Sequence, residues 1–179
     1  MREVARDHAR RLGSDEVRVA GSLLFQGLAA RVWSPVVAAA ALGVVPDLSG
    51  VRWRWAPGEP IGLGLADVRG WRVESAGEAV EIVHPMVVDG LLRPLREAVL
   101  GVVKLADGLV WGNAASALAG SLNVGDADPG RVAIVRELLG REPLAEVGAF
   151  GPRGYVRTNC CLYYRVPGGG MCGDCGLVR

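Results

Sequence analysis

The residues of this chain best suited to chemistry are four cysteines within its last twenty positions. Cys160 and Cys161 are adjacent, and ten residues separate them from the motif Cys172-Gly173-Asp174-Cys175. The sequence contains no other cysteine. Four thiolates in one short segment are typical of a single site for a soft metal or an iron–sulfur cluster.

The spacing of these cysteines favours two metal ions over one. A Cys-x-x-Cys pair such as Cys172 and Cys175 can hold one tetrahedral metal with both sulfurs. Adjacent side chains on an extended backbone point to opposite faces, so Cys160 and Cys161 could share one ion only if the chain turned there. Two sulfide-bridged irons allow each of these thiolates to bind a different iron. The leading interpretation is therefore a [2Fe–2S] cluster, with a structural zinc site and a reversible dithiol as alternatives.

The glycines of this segment predict how its two ends meet. The run Pro167 to Gly170 is typical of a turn and should bring Cys172 back toward Cys161. Gly173 and Gly176 should allow a tight backbone whose amide N–H groups face the sulfurs.

Composition and charge limit the remaining possibilities. The formal net charge is only +1, so no broad electrostatic field attracts nucleic acid, and half of the residues are hydrophobic. Residues 1–18 are rich in charge and lack the apolar stretch of a secretory signal, which predicts a cytoplasmic protein in which structural disulfides are disfavoured. The apolar stretch Leu23 to Val45 is interrupted by Gln26, Arg31 and Ser34-Pro35, and we interpret it as a pair of buried helices. We therefore expect no transmembrane segment, and we expect a monomer.

The elements that must position the cysteines belong to an α+β fold, a mainly helical single domain over residues 1–179. Helices are predicted in 1–48, at Arg2 to Leu12, Glu16 to Trp33 and from Pro35 to Gly43. A small antiparallel sheet is predicted over 51–84, in the alternating run Val51 to Trp55 and at Ile61 to Leu65, Gly70 to Glu74 and Ala79 to His84.

A second helical region is predicted over 89–150. Asp89 should cap a helix reaching Leu105, a helix should span Leu109 to Leu122, and Asp128-Pro129 should start a helix that ends at Gly140. A short helix or loop is expected from Pro143 to Arg153, and residues 155–179 form the cluster-binding segment.

The C-terminal pattern Cys-Cys-x10-Cys-x2-Cys resembles that of the FhuF-like ferric-siderophore reductases. The segment Arg157 to Arg165 resembles the end of that family, and Trp111-Gly112-Asn113-Ala114 is similar to its penultimate helical region. The resemblance implies a [2Fe–2S] cluster held by the four cysteines. It also implies one-electron reduction of Fe(III) in a siderophore, often of hydroxamate type, which releases Fe(II). No nicotinamide or flavin motif is evident, so electrons should come from a ferredoxin or an NAD(P)H-dependent reductase.

Four other residues are candidates for contact with substrate. Arg157 and Arg165 could raise the cluster potential or orient an oxygen-rich chelate, and Tyr163 and Trp111 could contact it. Solvated or ion-paired arginines and packed aromatic side chains are the alternative interpretations. Arg153 and Arg179 also flank the cysteines. Neither His8 nor His84 has metal-ligand neighbours in sequence, which disfavours a Rieske site.

Two functions remain open beside reduction of a siderophore. The same cluster could serve a non-enzymatic electron carrier or an iron–sulfur sensor. A zinc ion on the same thiolates could instead stabilise an interaction domain.

Overall fold

The helices and strands of the protein are defined by a computed structural model that describes residues 1–125, 128–152 and 154–177. In chain order they are α1 (Arg2–Arg11), α2 (Val17–Ala41), β1 (Val44–Pro46), β2 (Arg52–Arg54), β3 (Gly62–Gly64), β4 (Gly70–Arg72), α3 (Ala76–His84), a π-helix (Pro85–Leu92), α4 (Arg93–Leu100), α5 (Asp107–Gly120), a 3-10 turn (Ser121–Asn123), α6 (Pro129–Leu139), β5 (Gly148–Gly151), β6 (Gly154–Arg157) and a second 3-10 turn (Tyr163–Arg165).

Helix α2 is the central element of the fold. It packs most extensively along α5 and also contacts α1 and α6. Its 25 residues are long and apolar enough to cross a membrane, a test that the core helix of a soluble protein also passes. Here Phe25, Ala29, Trp33 and Val37 of α2 are completely buried in the main hydrophobic core.

The predicted break at Ser34-Pro35 is wrong, because α2 continues through it to Ala41. A proline inside a helix removes one hydrogen bond to the carbonyl four residues earlier. Pro35 and Arg31 both lie on the exposed side of α2, where water can solvate that carbonyl. Burial of Trp33, Val36 and Val37 on the opposite side then outweighs the local cost.

The strands pair differently from the predicted single sheet. Strands β2 and β3 form the expected antiparallel hairpin, with Trp53 opposite Leu63. Strand β4 does not extend it, because β4 pairs with β1, a strand that the sequence analysis missed. The result is two separate two-stranded sheets, and a third is formed by β5 and β6.

The strand predicted at Ala79 to His84 is wrong, since these residues belong to α3. Ser75 is the N-cap of α3, and its hydroxyl accepts a hydrogen bond from the Glu78 amide at 3.1 Å. Glu78 in turn accepts from the Glu74 amide at 2.8 Å. This arrangement resembles a capping box, a helix start signal that apolar alternation does not reveal.

Asp89 does not cap a helix as predicted. The chain runs in helical conformation from Ala76 through the π-helix to Leu100, which places Asp89 in its interior. Asp89 instead accepts a hydrogen bond from Arg93 Nε at 2.7 Å, the usual pairing of residues four apart. The helix also ends at Leu100, five positions before the predicted Leu105.

The later helices agree with the sequence more closely. Helix α5 ends at Gly120, and the last two residues of the predicted helix lie in the 3-10 turn that follows it. Asp128 caps α6 by accepting from the Arg131 amide at 3.0 Å. Between Pro143 and the cysteines, however, the chain forms the hairpin β5–β6 rather than a short helix or loop. The fold is mainly helical with small antiparallel sheets, as predicted, and the end of β6 leads directly into the cysteine segment.

Candidate metal centre

The cysteines lie on two arms that meet at the end of strand β6. The first arm contains Cys160 and Cys161, and the second contains Cys172 and Cys175. The amide of Arg157, the last residue of β6, donates to the carbonyl of Asp174 at 3.1 Å. Gly176 packs so closely on the Arg157 carbonyl that a Cβ at this position would overlap it. Backbone contacts therefore hold the second arm against the start of the first.

The link between the arms forms the predicted turn. A 3-10 turn at Tyr163–Arg165 follows the first arm, Gly168 has a φ of 71°, and the Gly169 amide donates to the Val166 carbonyl at 2.8 Å. The turn returns Cys172 to Cys161, whose sulfurs are 3.5 Å apart. Two sulfurs bonded to one tetrahedral metal at about 2.3 Å would lie about 3.8 Å apart. The separation of the Cys161 and Cys172 sulfurs is thus close to that of two thiolates on one metal ion.

A backbone amide also reaches the sulfur of one cysteine, a contact that stabilises a negatively charged thiolate. The Leu162 amide donates to Cys160 Sγ at 3.3 Å. Leu162 adopts a left-handed φ of 71°, and its side chain packs on Val19 and Leu109. The Cys175 amide closes a tight turn on the Cys172 carbonyl at 3.1 Å.

The four thiols are free and differ in exposure. Cys161 and Cys175 are buried, whereas Cys160 and Cys172 are half-buried. Burial raises the pKa of the Cys172 thiol, and the neighbouring Cys161 thiol and Asp174 carboxylate raise that pKa further. A metal must therefore displace a firmly held proton from Cys172. Among the described residues, no group of three or more His, Cys, Asp or Glu side chains has the spacing to hold one metal ion.

A buried chain of hydrogen bonds ties the first arm to the central helices. Ser22 of α2 donates through Oγ to the Cys161 carbonyl at 2.7 Å. Asn113 of α5 donates through Nδ2 to the Oγ and to the carbonyl oxygen of Ser22, both at 2.9 Å. Arg157 Nη2 donates to Asn113 Oδ1 at 2.6 Å. Because Ser22 and Asn113 are completely buried, water cannot replace these bonds.

Arg157 is a buried cation, with only 1% of its surface exposed. In the part of the chain that the structure describes, its Nε and Nη1 atoms have no hydrogen-bond partner. A buried charge without a counter-charge is costly. A cluster held by four thiolates is anionic, so a buried guanidinium with two free donor atoms, in the strand leading to the cysteines, suits such a group.

The other predicted substrate residues lie in different environments. Arg165 is exposed and forms a bidentate pair with Glu16, with its Nε 2.9 and 3.0 Å from the two carboxylate oxygens. Tyr163 is exposed, as is Tyr164. Trp111 is buried in the main core beneath the Arg93 guanidinium. Tyr163 and Arg165 are thus open to solvent, whereas Arg157 and Trp111 are not. Arg153 and Arg179 lie outside the described residues.

Sequence reasoning missed Ser22 and Asn159 and did not assign Asn113 a role. Asn159 precedes Cys160 and donates to the Gly108 carbonyl of α5 at 2.6 Å. Its amide lies so close to Gly112 that a Cβ at Gly112 would overlap it. The family resemblance of Trp111-Gly112-Asn113-Ala114 could have pointed to this part of α5. No local sequence feature predicts a role for Ser22.

Comparison with known families agrees with this geometry at the C-terminus. Residues 157–176 match the FhuF 2Fe-2S C-terminal domain. The predicted likeness of the cysteine segment to FhuF-like proteins is thereby confirmed. No curated protein and no solved structure gives a significant match.

The residues present fit the cofactor that this match indicates. Four free thiols lie on two adjoining arms, one pair of sulfurs has the separation of ligands to a shared metal, and an amide donates to a third sulfur. The cofactor of the segment is a [2Fe–2S] cluster. That Cys160, Cys161, Cys172 and Cys175 are its ligands stays a prediction of the sequence analysis.

Proposed function

We propose that this protein is a ferric-siderophore reductase that transfers one electron to Fe(III) in a siderophore, of hydroxamate type, so that Fe(II) is released. The observation that carries the proposal is the match of residues 157–176 to the FhuF 2Fe-2S C-terminal domain at the four cysteines. The match by itself indicates an iron–sulfur protein with a FhuF-like C-terminal segment, whatever its reaction.

The chemistry of the substrate explains why one electron is sufficient. Oxygen ligands of the hydroxamate type are hard donors that hold Fe(III) more tightly than Fe(II). Addition of one electron to the ferric iron therefore weakens the chelate, and no covalent bond to the protein is required. When bound, a [2Fe–2S] cluster supplies the chemistry of reversible one-electron transfer at a potential that the protein tunes.

The chain's own residues hold this site near solvent. Cys160 and Cys172 are half-buried, while Cys161 and Cys175 lie deeper. The amide of Leu162 donates to Cys160, and Ser22 fixes the Cys161 carbonyl, which limits movement of the first arm. A fixed ligand geometry keeps reorganisation small when an electron is gained or lost.

An external electron donor is part of the proposal, and we propose a ferredoxin or an NAD(P)H-dependent reductase. Among the described residues after β6, exposed large apolar side chains are Tyr163, Tyr164, Met171 and Leu177. Exposed apolar residues beside a redox centre suit brief docking of a partner protein. We place the protein in the cytoplasm, or peripherally at the inner face of the membrane, where such donors are found.

The activity is tested by mixing the chemically reduced, cluster-loaded protein with a ferric trihydroxamate under anaerobic conditions and in the presence of an Fe(II) trap. We expect the visible spectrum of the oxidised protein to return as one Fe(II) is trapped for each electron released. Absence of both changes would refute the reductase and favour an electron carrier or a sensor.

The ligand set is tested separately with Cys172→Ser. We expect this variant to lose the visible spectrum of the wild-type cluster because one of four thiolates is missing. Its control is wild-type protein reconstituted in parallel, with iron and acid-labile sulfide measured in both. Zinc without labile sulfide in the purified wild-type protein would instead support the zinc-stabilised interaction domain.

A further inference from the structure

A groove with a volume of about 590 Å³ reaches the second cysteine arm. It runs between α2 and the C-terminal end of α5, and strands β5 and β6 contribute Phe150 and Tyr155 to its side. Gly173 and Asp174, the two residues between Cys172 and Cys175, also line it. Its volume lies within the range of about 300 to 1,000 Å³ that is common for small-molecule sites.

Small residues along two helices keep this groove open. Gly27, Ala30 and Ser34 recur at helical spacing on α2 and line one side. Ala117 and Gly120 of α5 line the other side. A Cβ added to Gly120 would meet nothing within 4 Å, so the space beside it is empty.

Polar groups along the groove are suited to a ligand that carries oxygen atoms. Gln26 Nε2 donates to Ser116 Oγ at 3.0 Å across the base of the groove. Ser34 and Asn123 add further polar side chains to its lining. Tyr155 Oη is buried against Gly148, which does not line the groove, and is therefore not one of these groups.

The formal charge of the groove lining disfavours anionic ligands. Of the described residues that line it, Asp174 carries the single formal charge, which is negative. A carboxylate with a buried oxygen atom repels an anionic ligand and tolerates an uncharged or cationic one.

We propose that this groove binds the ferric chelate, and that it accepts uncharged or cationic Fe(III) complexes with oxygen-rich edges in preference to anionic ones. The proposal rests on the proposed function. The groove places its ligand beside Gly173 and Asp174, and hence beside the second cysteine arm.

A second cavity of about 380 Å³ is lined by α1, α2, the β2–β3 hairpin and the segment 90–98, without a residue of the cysteine segment.

Binding is tested without electron transfer by titrating the cluster-loaded protein with redox-inert Ga(III) complexes. The variants Ala30→Leu and Gly120→Leu fill the groove from opposite sides, and Ala98→Leu makes the same kind of change in the second cavity. We expect the Ga(III) trihydroxamate, which is uncharged, to bind at least tenfold more weakly to the two groove variants than to wild type or Ala98→Leu. We expect the trianionic Ga(III) tricatecholate to bind wild type at least tenfold more weakly than the trihydroxamate does.

The outcomes separate this inference from the proposed function. Visible spectra and thermal midpoints like those of wild type show that the groove variants remain folded and loaded. Equal binding of the trihydroxamate to all variants, or no binding to wild type, overturns the groove as the site. Equal binding of the two complexes to wild type overturns the charge preference. If the wild-type protein still reduces the ferric trihydroxamate in any of these cases, the proposed function survives.

Discussion

At the scale of single residues, Asp174 and Arg157 place opposite charges around the cysteines. The Asp174 carboxylate neighbours the Cys172 thiol and raises its pKa. Arg157 is buried and reaches the Cys161 carbonyl only through Asn113 and Ser22. Charges near an iron–sulfur cluster shift its potential, and buried polar partners fix its ligands.

Asp174→Asn should raise the midpoint potential of the loaded protein. Removal of a negative charge beside the cysteines favours the reduced state of the cluster. We expect the midpoint potential to rise by on the order of tens of millivolts. A shift of about 59 mV corresponds to a tenfold change in the equilibrium constant of one-electron reduction. A redox titration followed by visible absorbance measures it. Asp67→Asn, at an exposed surface loop, is the control and should leave the potential unchanged. An unchanged or lower potential in Asp174→Asn would contradict the argument.

Asn113→Ala should destabilise the protein by about 2 to 3 kcal/mol, because it leaves the buried Arg157 and Ser22 groups without their partner. Urea unfolding monitored by circular dichroism measures this loss. The visible spectrum should also change, since Ser22 positions the Cys161 carbonyl. Asn123→Ala, at an exposed position, should change stability by less than about 0.5 kcal/mol. Similar effects of both substitutions would argue against the buried chain as an anchor.

At the scale of elements, the cysteine arms are positioned by close backbone approaches that depend on particular glycines. Gly176 lies against the Arg157 carbonyl, and Gly169 lies against the carbonyls of Tyr163 and Val166. A Cβ at Gly173, in contrast, would meet nothing within 4 Å. A close backbone contact therefore requires a glycine at Gly176 but not at Gly173. The sequence analysis had assigned both glycines to a tight backbone.

Gly176→Ala should impair assembly of the site, because its methyl group would overlap a backbone carbonyl that cannot rotate away. Overpacking of this kind costs about 1 to 3 kcal/mol. Iron and labile sulfide per chain, measured after reconstitution, should fall clearly below wild type. Gly173→Ala is the matched control and should load normally. Equal loading of both variants would show that the second arm is free to move away from β6.

At the scale of the whole molecule, the hydrophobic core does not depend on the cysteines. The main core is built from α2, α3, the π-helix, α5 and α6, and it includes Trp33, Leu92, Leu118, Ile134 and Leu138. The cysteine segment packs on α2 and α5 through a separate small cluster of Val19, Leu109 and Leu162. A core of this kind can fold without a metal ion to stabilise it.

Removal of the cluster should therefore leave the helical fold largely intact. We expect the far-ultraviolet circular dichroism of the cluster-free protein to stay close to that of the loaded protein. Hydrogen exchange should increase mainly in residues 157–177, because the cluster would hold the two cysteine arms of this segment together. Loss of most helical signal on removal of iron would show that the cluster stabilises the whole fold.

The sequence by itself determined the ligand types, their spacing and the turn between the two arms, because these depend on residues close together in the chain. Local signals also located α1, α5, α6 and the β2–β3 hairpin, since caps, glycines and apolar periodicity act over a few positions. Tertiary structure alone decided that α2 continues through Pro35, that β4 pairs with β1, and that Ser22 and Asn113 support the Cys161 carbonyl. Each of these features depends on burial or on contacts with residues far away in sequence. The free energy of those contacts outweighs the local helix or strand propensity of the residues.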